Sequence, residues 1–275
     1  VNILGKECKW NMKLYREFFS YVIPSLLAFA LSGVYSIVDG FFVGNSIGDI
    51  GISTIHVAYP IIALILAVGT GIGMGGAVYY SIFRAEGKPE KAREFVAGTL
   101  WLLLISSILL TAVVLLFARS LLKLLGAESD LLTMGEEYIF IMGIGSVLQI
   151  FGVGLTPLIR NNGGSIFAMV TMCAGFITNI ILDFLFVWVM NQGVAGVAWA
   201  TIIGQGVTMI GGIGYLLYKK QLTLSISAES MKQVTKSIIR IGLAPFGLSL
   251  TPNFSLILIN RFSSFYGGEP AIAVY

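Results

Sequence analysis

Residues 178–189 read TNIILDFLFVWV, and they sit inside a longer apolar run, 166–190, that carries a single charged residue, Asp183. A hydrocarbon core about 30 Å thick needs roughly 20 apolar residues in a helix, so 166–190 predicts a transmembrane span. A carboxylate near the middle of such a span costs about 2.5 kcal/mol or more, and an ionisable residue at that depth is a functional candidate by default. Asn179 lies four residues before Asp183, on the same helical face.

The rest of the chain reads the same way. Of 275 residues, 56% are hydrophobic and only 11% charged, against about 25% charged in soluble domains. Apolar segments of spanning length recur at 18–42, 53–82, 95–117, 138–158, 194–218 and 238–259, giving seven predicted spans in all. They are rich in small residues, as in GTGIGMGGA at 69–77, which let transmembrane helices approach closely. No segment alternates as a barrel strand does. The expected fold is an all-α polytopic membrane protein.

Basic residues predict the orientation. With the N-terminus cytoplasmic, fourteen of the 17 Lys and Arg fall inside, and Arg119, Lys123 and Arg261 fall outside. The positive-inside rule therefore predicts N-in. The basic stretch 84–94 is a topology determinant on this reading, the net charge of +3 is no nucleic-acid signal, and no nucleic-acid partner is expected. The first residues show no signal-peptide pattern, so the first span is expected to remain. Cys8 and Cys173 have no disulfide or metal spacing.

A weak internal repeat is present. Pro24 precedes Asp39 by 15 positions, and Pro245 precedes Asn260 by the same interval; Gly48-Asp49 and Gly268-Glu269 follow. Six spans separate the copies, so both enter from one side, a parallel repeat of the kind found in transporters. The expected organisation is a six-helix lobe at 1–218, a cytoplasmic interlobe loop at 219–237, and the first helix and following loop of a second lobe at 238–275. On this reading the chain is half of a twelve-helix pseudo-twofold protein plus one helix.

Asp39 and Asp183 are the two acids well inside predicted spans, and no Lys, Arg or His shares their depth. Each must be protonated, hydrated or paired with a bound cation. Tyr35 lies one turn before Asp39. Thr201 and Gln205 pair in the next span, and the short NQGV turn makes that span an antiparallel neighbour, so Thr201 is expected to face Asp183. An Asp-Asn-Asp-Thr cluster offers oxygen ligands suited to Na⁺ or H⁺ rather than zinc or copper. The alternative is that these residues are polar glue between helices. Phe41, Phe42, Tyr138, Phe140 and Phe151 are candidate cavity aromatics, against the simpler expectation that membrane aromatics pack or sit at the interface. His56 is expected at the outer interface. No P-loop, HExxH or nucleophile elbow is present, so no enzyme is expected.

The stretches PSLLAFALSGVYSIVDGFFVGNSIG (24–48) and LIRNNGGSIFAMVTMCAGFITNIILDFLFVWVMNQGVAGVAWATIIGQ (158–205) resemble the multidrug and toxic compound extrusion (MATE) transporters, most nearly the bacterial DinF/MepA-like branch. The resemblance implies two six-helix lobes around an alternating cavity in the bacterial inner membrane. It implies export of bulky cationic compounds driven by inward H⁺ or Na⁺, with no other cofactor, by a monomer of the full-length chain with drug-like cations and membrane lipid as partners. It implies a coupling-ion site, for H⁺ or Na⁺, at Asp39, Asn179, Asp183 and Thr201, with Tyr35 as a supporting hydrogen-bond partner and Pro24 at a bend in span one. Pro24 is also readable as a static kink. Some family members carry a glutamate in span seven; here that span has no acid, only Thr251, Asn253 and Asn260. Two other readings remain at this stage: a lipid-linked saccharide flippase of the same superfamily, disfavoured by the lack of basic residues at depth, and a non-transporting membrane partner.

Overall fold

The computed structural model describes residues 2–272, with the side chains of 1–14, 17, 256, 260, 261 and 263–272 outside that description. Cys8, Asn260, Arg261 and Glu269, which entered the reading above, are therefore outside it, as are Lys6, Lys9 and Lys13 of the orientation count. The chain forms α1 (Asn2–Ser46), α2 (Asp49–Ala85), α3 (Pro89–Leu124), α4 (Ser129–Ile144), α5 (Ser146–Asn161), α6 (Ser165–Asp183), α7 (Gly193–Tyr218) and α8 (Ala228–Ile272). The backbone after α6 continues as a π-helical segment, Phe184–Val189. No strand occurs among the described residues.

Six of these helices are long and apolar enough to cross a membrane, and the pair α4–α5, bent by 55°, makes a seventh if it crosses as one. If α3 crosses, as its length and apolarity imply, hydrogen bonds require the pair to cross back. Tyr80, near the end of α2, donates to Asn162 Oδ1 in the α5–α6 turn at 2.8 Å. Both α3 and the bent pair lie between those residues, so the bent pair must undo the crossing made by α3. The predicted span 138–158 is thus broken at Gly145. A Cβ there would sit 2.3 Å from Ile202 Cγ2 of α7, so only glycine lets the elbow press against α7. The elbow is tied to α3 by the Thr111–Ser146 hydroxyl pair at 2.5 Å, and Gln149 Nε2 donates to Met142 O across the break at 2.9 Å.

α2 is the central helix because its glycines serve three neighbours. Added Cβ atoms would meet Gly154 O of α5 at 2.2 Å from Gly73, Ile238 O of α8 at 2.3 Å from Gly75, and Thr99 Oγ1 of α3 from Gly76. Backbones approach this closely where both contact faces are small. The large buried side chains Ile65, Leu103, Ile139, Ile150 and Leu155 fill the layer between. α1 and α8 instead present mostly exposed apolar faces, including Phe29 and Ile37 on α1 and Leu248 and Phe254 on α8.

The 219–237 segment is not a free loop. Trp101 Nε1 donates to Leu224 O at 3.0 Å, and Ile226 packs beside Phe95, Val234 and Ile238. α8 already begins at Ala228.

Candidate functional site

The α6–α7 interface sets the geometry of the acid cluster. Gly175 and Gly204 lie opposite each other. A Cβ on Gly204 would sit 2.8 Å from Gly175 O and 3.0 Å from Asn179 Cβ, and one on Gly175 would meet Thr208 Oγ1. The turn joining the two helices is equally tight, with Asn191 at φ 52° and Gly193 at φ 58°, in the left-handed region that asparagine and glycine tolerate best.

This contact buries Asn179 (3% exposed) and Asp183 (0%). Asn179 Nδ2 donates to Thr201 Oγ1 at 3.4 Å. The sequence expectation paired Thr201 with Asp183; the side chain it meets is Asn179, because α7 runs antiparallel and Thr201 lies level with the earlier turn of α6. Gln205, one turn further along α7, turns to α5, where its Oε1 lies 2.9 Å from the place a Cβ on Gly152 would take.

α1 closes the site. Tyr35 stacks on Phe176 of α6, ring centroids 5.2 Å apart and planes 8° from parallel, with its hydroxyl beside Thr201. That stack sets the height of α1, and one turn later Asp39 comes into reach of Asp183. Phe42 then packs on Phe184 and Trp188 of the π-helical segment, at 6.4 and 5.8 Å. The segment starts at the residue after Asp183. Met190 N bonds back to Leu185 O at 2.9 Å, a five-residue step that turns these aromatics toward α1. π-segments occur often at functional sites.

The polar accounting is incomplete here. Asp39 Oδ1, both Asp183 carboxylate oxygens and Asn179 Oδ1 are buried with no hydrogen-bond partner among the described residues. A buried acceptor left unpaired costs about 1–3 kcal/mol, more when charged. Four such oxygens in one place leave a donor or cation to be supplied from outside the chain. No three His, Cys, Asp or Glu side chains converge among the described residues, so the ligands are two carboxyls and neutral oxygens, the set a proton or a small hard cation prefers.

The structure therefore brings Asp39, Asn179, Asp183, Thr201 and Tyr35 together. Pro24 is buried within α1, 15 residues before Asp39. Sequence reasoning missed Tyr59. This α2 residue and buried Tyr138 of α4 stand within electrostatic reach of the cluster, and nothing in their spacing marked them for it. Of the other aromatic candidates, Phe41 packs on Trp188, Phe140 is exposed, and Phe151 packs against the core. His56 is half-buried in α2.

Comparison with known proteins places this geometry in a family. A family model described as MatE matches residues 24–185. Multidrug export protein MepA of Staphylococcus saprophyticus is 26% identical over 264 residues, covering 95% of this chain and 58% of that protein. MepA of Staphylococcus aureus is 24% identical over 265 residues with the same coverages. Among solved structures, MATE multidrug transporter DinF-BH superposes with a TM-score of 0.84 at 27% identity, covering 93% of this chain and 58% of that one. An inward-facing multidrug resistance MATE family transporter of the MOP superfamily gives 0.80 at 26%, covering 87% and 55%. The chain thus spans 58% of the length of the curated relatives it matches.

Proposed function

The chain belongs to the MatE family, and from that premise we propose that it is the amino-terminal lobe, with the first helix of a second lobe, of a secondary multidrug exporter. The full-length protein moves bulky lipophilic cations outward in exchange for inward H⁺ or Na⁺. It works as a monomer in the bacterial inner membrane, with its N-terminus cytoplasmic. The names of the MepA and DinF-BH relatives support the export half of this reading.

The observation that carries the ion-coupling half is the Asp183 carboxyl, fully buried beside Asp39 with neither oxygen satisfied. Ionised, the two acids hold negative potential in a low-dielectric cleft and attract a lipophilic cation. A proton or Na⁺ arriving from outside takes up the unpaired oxygens of Asp39, Asn179 and Asp183, with Thr201 beside them. That removes the attraction and repacks α1 against α6, with Pro24 as the point where α1 bends. Ion and drug then exclude one another, and the exchange is driven by their unequal affinity for the two states.

The test uses the complete protein in cells stripped of their major efflux pumps, following loss of a fluorescent cationic dye. Asp183→Asn at matched expression is expected to fold and to bring dye loss down to the level of empty cells. A Na⁺ or pH jump in vesicles then names the ion. Undiminished export by a well-expressed Asp183→Asn protein overturns the coupling role.

A further inference from the structure

A second feature shares no residue with the acid cluster. Where α8 crosses α2, the backbones nearly touch. A Cβ on Gly242 would sit 2.3 Å from Gly71 O. Beside this crossing opens a cavity of about 210 Å³ lined entirely by apolar side chains and glycine, with Val68 and Ile72 on α2 and Ile239, Leu243 and Phe246 on α8. Among the described residues its outer rim is uncovered: Ile239 is 54% exposed and Leu243 64%.

The same face of α8 carries cations toward the helix start. Lys232, Lys236 and Arg240 recur every four residues, and all three are exposed. Lys232 stands two turns before Ile239 and Lys236 two turns before Leu243, so cations and rim form one stripe. None of the three makes an ion pair among the described residues. The nearby acid Glu94 accepts from Ser230 instead. At 1.5 Å rise per residue, Lys236 and Leu243 are about 10 Å apart along the axis.

We propose that this crevice holds one acyl chain of an anionic phospholipid, with its headgroup phosphate on Lys232, Lys236 and Arg240. Topology accounts for basic residues at a membrane boundary; it gives no reason for them to continue into an open apolar slot. A free anion uses only the cations and a neutral lipid only the slot. A molecule with a charged head and an apolar tail uses both, and basic clusters beside spans attract anionic lipids. The tail would lie beside the Gly71–Gly242 contact, against Val68, Ile72 and Leu243, and brace the α2–α8 crossing.

The test is native mass spectrometry of the purified complete protein with phosphatidylglycerol and phosphatidylcholine of matched chains. The readout is lipid retention and is independent of drug flux. Wild type is expected to retain one phosphatidylglycerol in preference. Lys236→Gln/Arg240→Gln should weaken that retention by roughly thirtyfold, and Leu243→Trp should abolish it by filling the slot. Equal retention of the two lipids, or an undiminished preference in either variant, overturns the proposal. So does protection of Leu243→Cys from a lipid-soluble maleimide that persists after the protein has been stripped of lipid in detergent, which would show that a protein segment covers the crevice.

Discussion

At the scale of single residues, the site rests on two kinds of side chain: acids that supply unpaired oxygens and glycines that bring those oxygens together. The acids were legible. An isolated carboxyl in an apolar span has no cheap structural explanation, and the four-residue steps from Tyr35 to Asp39 and from Asn179 to Asp183 placed each pair on one face. The glycines were legible only as composition. Which helix each one faces depends on crossing geometry, and so did the partner of Thr201. The contact between Gly175 and Gly204 gives a direct prediction. Gly204→Val puts a branched side chain where even a Cβ would lie 2.8 Å from a backbone oxygen. Overpacking of this kind costs about 1–3 kcal/mol. The variant is expected to unfold at lower temperature in detergent and to lose ion-dependent protection against heating. Gly214→Val, on the same helix but with nothing within 4 Å, is the control and should unfold close to wild type. Equal midpoints for Gly204→Val and wild type would show that α6 and α7 do not need this approach.

At the scale of elements, the apolar runs located the spans, while two breaks within them went unread. The elbow at Gly145 and the π-helical segment after Asp183 both interrupt smooth apolar stretches. Neither contains a proline, and both are stabilised by neighbours distant in sequence. The α7–α8 connector was read as an interlobe loop; hydrogen bonds from Trp101, Tyr80 and Asn162 bind it to the lobe. Its anchor is a clasp. Arg84 Nη1 donates to Tyr80 Oη at 2.5 Å and to Asn162 Oδ1 at 2.7 Å, and Asn162 Nδ2 donates to Gln221 Oε1 at 2.5 Å. Tyr215 Oη reaches Asn162 O at 3.2 Å. Asn162→Ala removes the hub and leaves Tyr80, Arg84 and Gln221 short of a partner. Losing such a hub costs about 1–3 kcal/mol. The expected result is faster proteolysis within 221–227 and a lower thermal midpoint. Since the acid cluster lies elsewhere, ion binding by the surviving folded protein should be unchanged. Wild-type proteolysis rates in this variant would mean that Trp101 and Ile226 hold the connector without the clasp.

At the scale of the whole molecule, the clasp also settles parity, because the ends of α2, α5 and α7 meet in it. α3 and the α4–α5 pair must each cross once between α2 and the α5–α6 turn, so the α2–α3 and α3–α4 turns lie on opposite sides of the membrane. Parity does not say which side is which; charge does. The clasp end carries Arg84, Lys88, Lys91, Arg93, Arg160, Lys219 and Lys220, whereas the opposite end holds Arg119, paired to Glu136 at 3.3 Å, and Lys123. Lys and Arg near span ends are retained on the cytoplasmic side, so the clasp end is predicted to face the cytoplasm. Single cysteines at Lys88 and Glu128, both exposed, in a background without Cys8 and Cys173, test this. In intact cells a membrane-impermeant maleimide should label Glu128→Cys, and Lys88→Cys should react only after permeabilisation. The reverse pattern would invert the molecule and put the clasp end outside. Labelling of both in intact cells would mean that α3 does not cross, in conflict with its 36-residue length and apolar composition.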